Sequence, residues 1–271
     1  MNRRILTAIA VKDLREVRKN RVAILGVVVL TIIFSVVLPL ILTGTTEAFA
    51  GNTTGQGAGA ESLILTPEMQ AIVDGLEPDQ VPVVLFLGYL LAPLFLIIPL
   101  MLASIIAAES FVGEKERKTL EPLLYTPATD LELFMGKVIA AFLPAVLFAW
   151  INFAIYTVTV NVAGWGVMHR IWFPTDVWWV LMLLVAPAIA LMGISATVLI
   201  STKVNTFMEA YQASGALVLV VVVLMMGQVF GLLFLSPPVL FLIGAGILLL
   251  DIILIRIGVG LFNRSALIAR I

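Results

Sequence analysis

The sequence has no cysteine, a single histidine and few charged residues, and each shortage excludes a class of function. Without cysteine the chain forms no disulfide and offers no thiolate for catalysis or metal binding. His169 alone does not supply the ligand set of a zinc protease. Only 12% of the residues are charged and 61% are hydrophobic, which is too little polar surface to enclose a water-soluble core. The chain is therefore predicted to fold in a lipid bilayer.

Six apolar segments are long enough to cross a bilayer as helices. Five of them carry no charge over 21 to 26 residues, and a helix of roughly 20 residues crosses the hydrocarbon layer. The sixth segment has a suitable length but contains Asp251 and Arg256. The predicted spans are residues 22–42, 83–108, 138–160, 177–200, 213–235 and 239–262. The sequence thus predicts an all-α integral membrane protein in which residues 1–271 form a single transmembrane domain.

The distribution of lysine and arginine predicts the orientation. Residues 1–21 hold seven basic residues, whereas residues 43–82 hold six acidic residues and no basic one. With both termini in the cytoplasm, every lysine and arginine except Arg170 falls on the cytoplasmic side, as the positive-inside rule requires. We therefore expect a multi-pass protein of the cytoplasmic (inner) membrane. Amphipathic indole rings favour the membrane interface, which fits the second outer loop with Trp165, Trp172, Trp178 and Trp179.

Two segments outside the spans are predicted to lie along the membrane. Residues 1–21 combine apolar residues at near-helical spacing with a cationic face, which favours an amphipathic interfacial helix; a solvated basic tail is the alternative. In the outer loop, residues 43–82, Thr66 and Pro67 have the order of an N-cap and a first helical residue, which predicts a short outer helix. Ala48-Phe49-Ala50 also fits the end of a signal peptide, but a signal core of roughly 7 to 15 residues is shorter than the preceding apolar run.

The inner loop between spans two and three, residues 109–137, is predicted to form a helical elbow. Thr119 is suited to cap a short helix that ends near Tyr125, and Thr129 with Glu132 has the spacing of a capping box that opens the next helix. Charged and apolar side chains alternate in the elbow. A solvated loop would account for the charges, but the leucines on a lone elbow favour a surface that docks another protein.

This loop resembles the signature segment of ABC type-2 exporter permeases. The resemblance lies in the sequence VGEKERKTLEPLLYTP, residues 112–127, followed by Gly136-Lys137. The family commonly has glycine where this chain has Lys118. Residues 12–21, KDLREVRKNR, are similar to the entry helix of the same family, and the six-span layout fits it throughout. The long outer loop between the first two spans is similar to that of sodium-efflux and drug-export relatives.

The resemblance implies a permease subunit rather than an enzyme. The elbow would be the coupling helix that sits in a cleft of a separate ATPase subunit, with ATP and Mg²⁺ bound by that subunit and no cofactor in this chain. Two ATPases and a second permease, identical or different, would complete an exporter that works by alternating access. Membrane lipids are the other partners, and no nucleic acid is expected. The residues implied at the ATPase interface are Glu114, Lys115, Glu116, Arg117, Lys118, Thr119, Leu120, Glu121, Leu124 and Tyr125.

Three polar residues within the apolar segments are candidates for a substrate pathway. Asp251 is the strongest candidate, because an ionised carboxylate inside a membrane is costly unless it is paired or hydrated; pairing with Arg256 or with another helix is the structural alternative. Asn152 and Gln228 are weaker candidates, since single amides often hold helices together. Gly227 and Gly231 have the spacing of a close-packing face in the fifth span.

Two other functions fit the same sequence. A membrane scaffold or assembly factor would use the elbow to hold a soluble partner without transport. An ion-coupled secondary transporter would use Asp251. The chain itself has no nucleotide-binding loop, because Gly136-Lys137-Val138 lacks the upstream glycine and the hydroxyl residue of that motif.

Overall fold

The computed structural model of the protein describes residues 7, 11–12, 21–44, 67–117, 129–231 and 233–261. In this part of the chain all regular structure is helical, and six helices are long and apolar enough to cross a membrane. We name them spans 1 to 6: Leu25–Gly44, Gln80–Glu116, Asp130–Ala163, Asp176–Ser201, Phe207–Val229 and Pro237–Gly260. The prediction of an all-α fold with six spans is confirmed. The ends that the charge distribution assigns to the cytoplasm are called inner.

Span 2 is longer than its uncharged core, residues 83–108, at both ends. It continues inward to Glu116, through two turns that carry the first charges of the predicted loop. Pro93 lies at the start of a 3₁₀ turn within span 2, where its missing N–H leaves no α-helical hydrogen bond to be made. Its segments are α-helical Gln80–Leu85, π-helical Phe86–Leu90, 3₁₀-helical Ala92–Leu96, α-helical Ile97–Ala108, π-helical Glu109–Gly113 and α-helical Glu114–Glu116.

Span 3 begins at the predicted capping box. The Thr129 hydroxyl accepts a hydrogen bond from the Glu132 backbone N–H at 3.2 Å, and the Glu132 carboxylate accepts one from the Thr129 N–H at 3.1 Å. Two backbone donors that have no partner inside the helix are thereby satisfied. The helix runs from Asp130 to Ala163 and thus starts before residue 138, where the uncharged run begins.

Span 5 is displaced inward from the predicted residues 213–235. Its α-helical parts are Phe207–Gly215 and Val218–Val229. The Thr206 hydroxyl caps the start by accepting from the Glu209 N–H at 3.3 Å. Gly231, with a φ of +68°, lies beyond the end of the helix, in a conformation that glycine adopts readily. The prediction that Gly227 and Gly231 share one helical face is therefore wrong.

The centre of the bundle is formed by spans 2 and 4, which are mostly buried against the other spans. Trp178 is fully buried there: it stacks on Tyr156, and its indole N–H donates to the Gly88 carbonyl at 2.8 Å. Its prediction as an interfacial residue is wrong, because the ring fills the gap between spans 2, 3 and 4. Trp165 and Trp179 are about half exposed, as an interfacial position requires.

The short outer helix is confirmed and spans Pro67–Val73. Met69 is buried against Val81 and Leu85 of span 2, so this helix rests on the outer end of the bundle. Between spans 3 and 4 a further short helix, Trp165–Met168, leads to His169, which is exposed.

Candidate functional site

A buried ammonium group joins spans 2 and 3 near their inner ends. Lys137 has no exposed surface, and its three N–H donors reach the Ser110 carbonyl at 2.5 Å, the Ser110 hydroxyl at 3.2 Å and Glu114 Oε2 at 2.6 Å. An ammonium carries three donors, so the group is fully satisfied. The ring of Phe111, 5.5 Å from Nζ, covers it from one side. A buried charge is tolerated only with this degree of pairing.

Glu114 also connects the N-terminal segment to the bundle. Its carboxylate is 1% exposed, and its second oxygen, Oε1, accepts from the ammonium of Lys12. Glu114 thereby lies between a buried lysine of span 3 and a half-exposed lysine from the segment that precedes span 1. One carboxylate is placed to hold three elements together.

A second ion pair spans the π-helical turn at the end of span 2. Arg117 Nη2 lies 2.6 Å from Glu109 Oε1, and Glu109 is 2% exposed. Gly113 makes room for this contact, because a Cβ at this position would lie 3.2 Å from the carboxyl carbon of Glu109. Arg117, the last residue described before the elbow, is therefore tied back to the span.

Lys115 and Glu116 bind the loop that leads into span 5. The Lys115 ammonium donates to the Val204 carbonyl at 3.1 Å and to Asn205 Oδ1 at 3.0 Å. Glu116 Oε2 accepts from the Phe207 backbone N–H at 2.8 Å. A carboxylate next to the first turn of a helix is also stabilised by the positive end of the helix dipole. The start of span 5 is thus held by the end of span 2.

These contacts all lie at the inner end of span 2, and we call them together the inner clasp. It connects span 2 to span 3, to the segment before span 1 and to the start of span 5. Its members are Lys12, Glu109, Ser110, Glu114, Lys115, Glu116, Arg117, Lys137 and their partners at Val204, Asn205 and Phe207.

The clasp contains four of the residues predicted at the interface with an ATPase. Glu114 and Arg117 are engaged with their own chain, as are Lys115 and Glu116. The remaining six lie outside the described residues: Lys118, Thr119, Leu120, Glu121, Leu124 and Tyr125. The clasp thus includes Arg117, the residue that immediately precedes the segment that holds those six.

The sequence gives weak signals for Glu109, Ser110 and Lys137. Glu109 follows directly on the apolar run of span 2, and Lys137 precedes that of span 3. A charge at the border of an apolar run usually reaches into the headgroup region. The burial of Lys137 results from Glu114, 23 residues away, and pairing at that separation depends on how the spans pack.

The three candidate pathway residues have different surroundings. Asn152 is buried and accepts from the Ser35 hydroxyl of span 1, and Gln228 is buried and donates to the Tyr89 carbonyl of span 2 at 3.1 Å. Both amides thus hold pairs of spans together. Asp251 is 1% exposed, and neither of its oxygens has a hydrogen-bond partner in the part of the chain that the structure describes. The alternative pairing with Arg256 is not found there.

A cavity of about 140 Å³ lies between spans 2 and 5. Ser104 is 3% exposed, and its hydroxyl has no hydrogen-bond partner among the described residues. The walls are otherwise mostly apolar. The cavity is lined by Leu100, Met101, Ser104, Tyr211, Gln212, Ser214, Gly215 and Val218. Within the same described ranges, no group of three His, Cys, Asp or Glu side chains is placed to hold a metal.

Comparison with models of known protein families shows which family the chain belongs to. The family model described as ABC-2 family transporter protein matches residues 7–244, which is most of the chain. The chain belongs to this family. The ABC-2 protein is thus a multi-pass membrane protein and a transport component rather than a catalyst. Members normally work with an ABC ATPase partner, and the family assignment supports a permease component of an ABC transporter. Searches among curated proteins and among solved structures gave no match.

Proposed function

We propose that this chain is the permease subunit of an ATP-driven exporter of the cytoplasmic membrane. Two copies of a separate ATPase subunit bind ATP and Mg²⁺, and the ABC-2 protein pairs with a second permease copy. The elbow, residues 118–128, contacts the ATPase. Closure of the ATPase dimer moves the elbow and rocks the spans between inward-facing and outward-facing arrangements.

The inner clasp is the observation that carries this proposal. An external subunit drives helices only through an element that is firmly attached to them. The inner end of span 2, which leads into the elbow, is attached by an ion pair to span 3 and by a hydrogen bond to span 5. Arg117, next to the elbow, is paired with Glu109 of span 2. Glu114 adds the segment that precedes span 1. Displacement of the elbow would therefore move several spans together rather than one loop.

The cavity between spans 2 and 5 is the proposed place for the transported compound. Its apolar walls suit a hydrophobic group, and the hydroxyl of Ser104, which has no partner among the described residues, suits one hydrogen-bonding atom of that group. Span 5 forms one wall, and its start is held by Glu116. Movement of the elbow would therefore change the width of the cavity.

The ATPase interface is tested by co-purification from the native host. The double substitution Glu121→Ala and Leu124→Ala is expected to abolish recovery of an ABC ATPase with the tagged chain. Lys203→Ala is the matched control, because it removes an exposed charge from a neighbouring inner loop. Unchanged recovery of the ATPase with the double variant would contradict the proposed interface. A complex that forms but drives no ATP-dependent transport in liposomes would indicate a scaffold instead.

The orientation is tested with single cysteines, which the natural chain lacks. A membrane-impermeant maleimide is expected to label Glu121→Cys in inverted vesicles only. Glu68→Cys, on the exposed face of the outer helix, is the control and is expected to react in intact cells only. Labelling of Glu121→Cys from outside would exclude contact with a cytoplasmic ATPase.

A further inference from the structure

Asp251 is a buried carboxyl group in the middle of span 6, and the proposed function does not use it. It is 1% exposed within a single copy of the chain, so the group is covered by its own chain and needs no second protomer to bury it. Both oxygens lack a hydrogen-bond partner in the described ranges. An ionised carboxylate without partners is costly in such surroundings. The surroundings therefore favour the neutral, protonated form.

Two glycines show that span 6 packs closely on both sides of Asp251. Gly244, Asp251 and Gly258 are spaced by seven residues and share one face of the helix, since seven residues are close to two turns. A Cβ at Gly244 would lie 2.9 Å from Leu184 Cγ, and one at Gly258 would lie 3.2 Å from Val198 Cγ1. Span 4 thus closes on span 6 both above and below the carboxyl group.

Among the described residues, the elements that make the main contacts with span 6 supply no counter-charge. They are span 4 and part of span 3. Within span 4 the only ionisable residue is Asp176, at its outer end. Span 3 carries Asp130 and Glu132 at its inner start and Lys137 and Tyr156 further along. Lys137 is bound to Ser110 and Glu114, and Tyr156 donates to the Leu87 carbonyl. Arg256, on span 6 itself, is exposed and forms no ion pair with Asp251 among the described residues.

We propose that Asp251 is a proton-binding site whose occupancy holds span 6 against span 4. The protonated carboxyl is compatible with close packing at Gly244 and Gly258. Loss of the proton to water leaves a carboxylate that must be hydrated, and hydration requires the two spans to part. A metal ion is a poor alternative, because the described residues offer no second acidic or histidine ligand beside Asp251.

Infrared spectroscopy of the purified chain in lipid nanodiscs tests the protonation. A carboxylic acid C=O band is expected at pH 7 in the natural protein and is expected to be lost in Asp251→Asn. Glu209→Gln, an exposed carboxylate, is the control and should leave the band in place. Absence of any band sensitive to Asp251→Asn at pH 7 would overturn the proposal.

Cross-linking tests the coupling between the proton and the packing. Val198→Cys and Gly258→Cys place two thiols at the contact below Asp251, in a chain with no other cysteine. The disulfide yield is compared between this cysteine pair and the same pair combined with Asp251→Asn. As the pH rises from 6 to 9, the yield with Asp251 is expected to fall several-fold relative to the yield with Asp251→Asn. Both variants carry the same two cysteines, so the pH dependence of thiol oxidation itself is the same in both and does not affect the comparison. Equal yields in both backgrounds at every pH would overturn the coupling. Neither measurement uses ATP or an ATPase, so failure here is separate from failure of the exporter proposal.

Discussion

Lys137 and Glu114 are buried together, so removal of either side chain leaves a charge without its closest partner. Lys137→Met is expected to lower the free energy of unfolding by about 3 kcal/mol. This is the lower end of the cost of breaking a buried ion pair, because Lys12 still contacts the other oxygen of Glu114. The measurement is unfolding in mixed micelles with increasing SDS.

The double variant Glu114→Gln and Lys137→Met separates charge from packing. It is expected to recover much of the loss, because no unpaired charge then remains in the interior. Lys12→Met, which changes the half-exposed partner, is expected to cost less than Lys137→Met. If the double variant is less stable than Lys137→Met alone, the pair is not held by its charges.

Gly193 marks a close approach of span 4 to span 2. A Cβ at this position would lie 2.8 Å from Ser104 Oγ and 3.1 Å from the Leu100 carbonyl oxygen. Gly193→Ala is therefore expected to cost about 1 to 3 kcal/mol by overpacking, measured by the same SDS titration. Gly246→Ala is the matched control, because no atom lies within 4 Å of its Cβ position. Equal effects of the two substitutions would refute the close approach.

At the scale of elements, span 5 depends on its cap. Thr206→Ala removes the acceptor of the Glu209 N–H and is expected to cost about 1 kcal/mol. Faster hydrogen exchange should be confined to the first turn after Phe207. Thr159→Ala is the control: its hydroxyl only bonds back to Ile155 within span 3, so exchange at the start of span 5 should not change. Unchanged exchange in Thr206→Ala would show that the cap is dispensable.

The sequence predicts the spans well because hydrophobicity acts locally. Uncharged runs of sufficient length identify five of the six spans, and the sixth is identified by its apolar length despite Asp251 and Arg256. The Thr129 and Glu132 pair identifies the start of span 3. The same signal exists at Thr206 and Glu209, but the uncharged run begins later, at residue 213, and length alone places the span there. For spans 3 and 5, the capping residues therefore predict the inner end more accurately than the first residue of the uncharged run does.

The inner clasp depends on contacts that no local pattern contains. Glu114 meets lysines that are 102 and 23 residues away, and Glu116 reaches Phe207 across 91 residues. In the sequence these charges are typical of a solvated loop. Glu109, Glu114 and Lys137 are buried because spans 2 and 3 pack closely around them, whereas Glu116 and Arg117 stay exposed. Trp178 is the corresponding case at the outer end, where packing overrides the interfacial preference of the indole.

At the scale of the whole molecule, the clasp is expected to transmit motion from the elbow to span 5. Glu116→Ala removes the acceptor that links span 2 to the Phe207 N–H. In the complex with its ATPase, this variant should retain the natural ratio of subunits. ATP and vanadate are expected to change the distance between the inner ends of spans 5 and 3. In Glu116→Ala this change in distance should be several-fold smaller than in the natural protein.

Spin labels at Met208→Cys and Leu131→Cys measure this change as a distance between spans 5 and 3, since both side chains are about half exposed. Lys203→Ala, in the inner loop between spans 4 and 5, is the control. It should leave the distance change as it is in the natural protein. A full distance change in Glu116→Ala would mean that span 5 is driven by another route, such as its packing on span 2. Loss of the ATPase from the Glu116→Ala complex would instead place Glu116 at the subunit interface, and the clasp would then act as part of the docking surface rather than as the connection behind it.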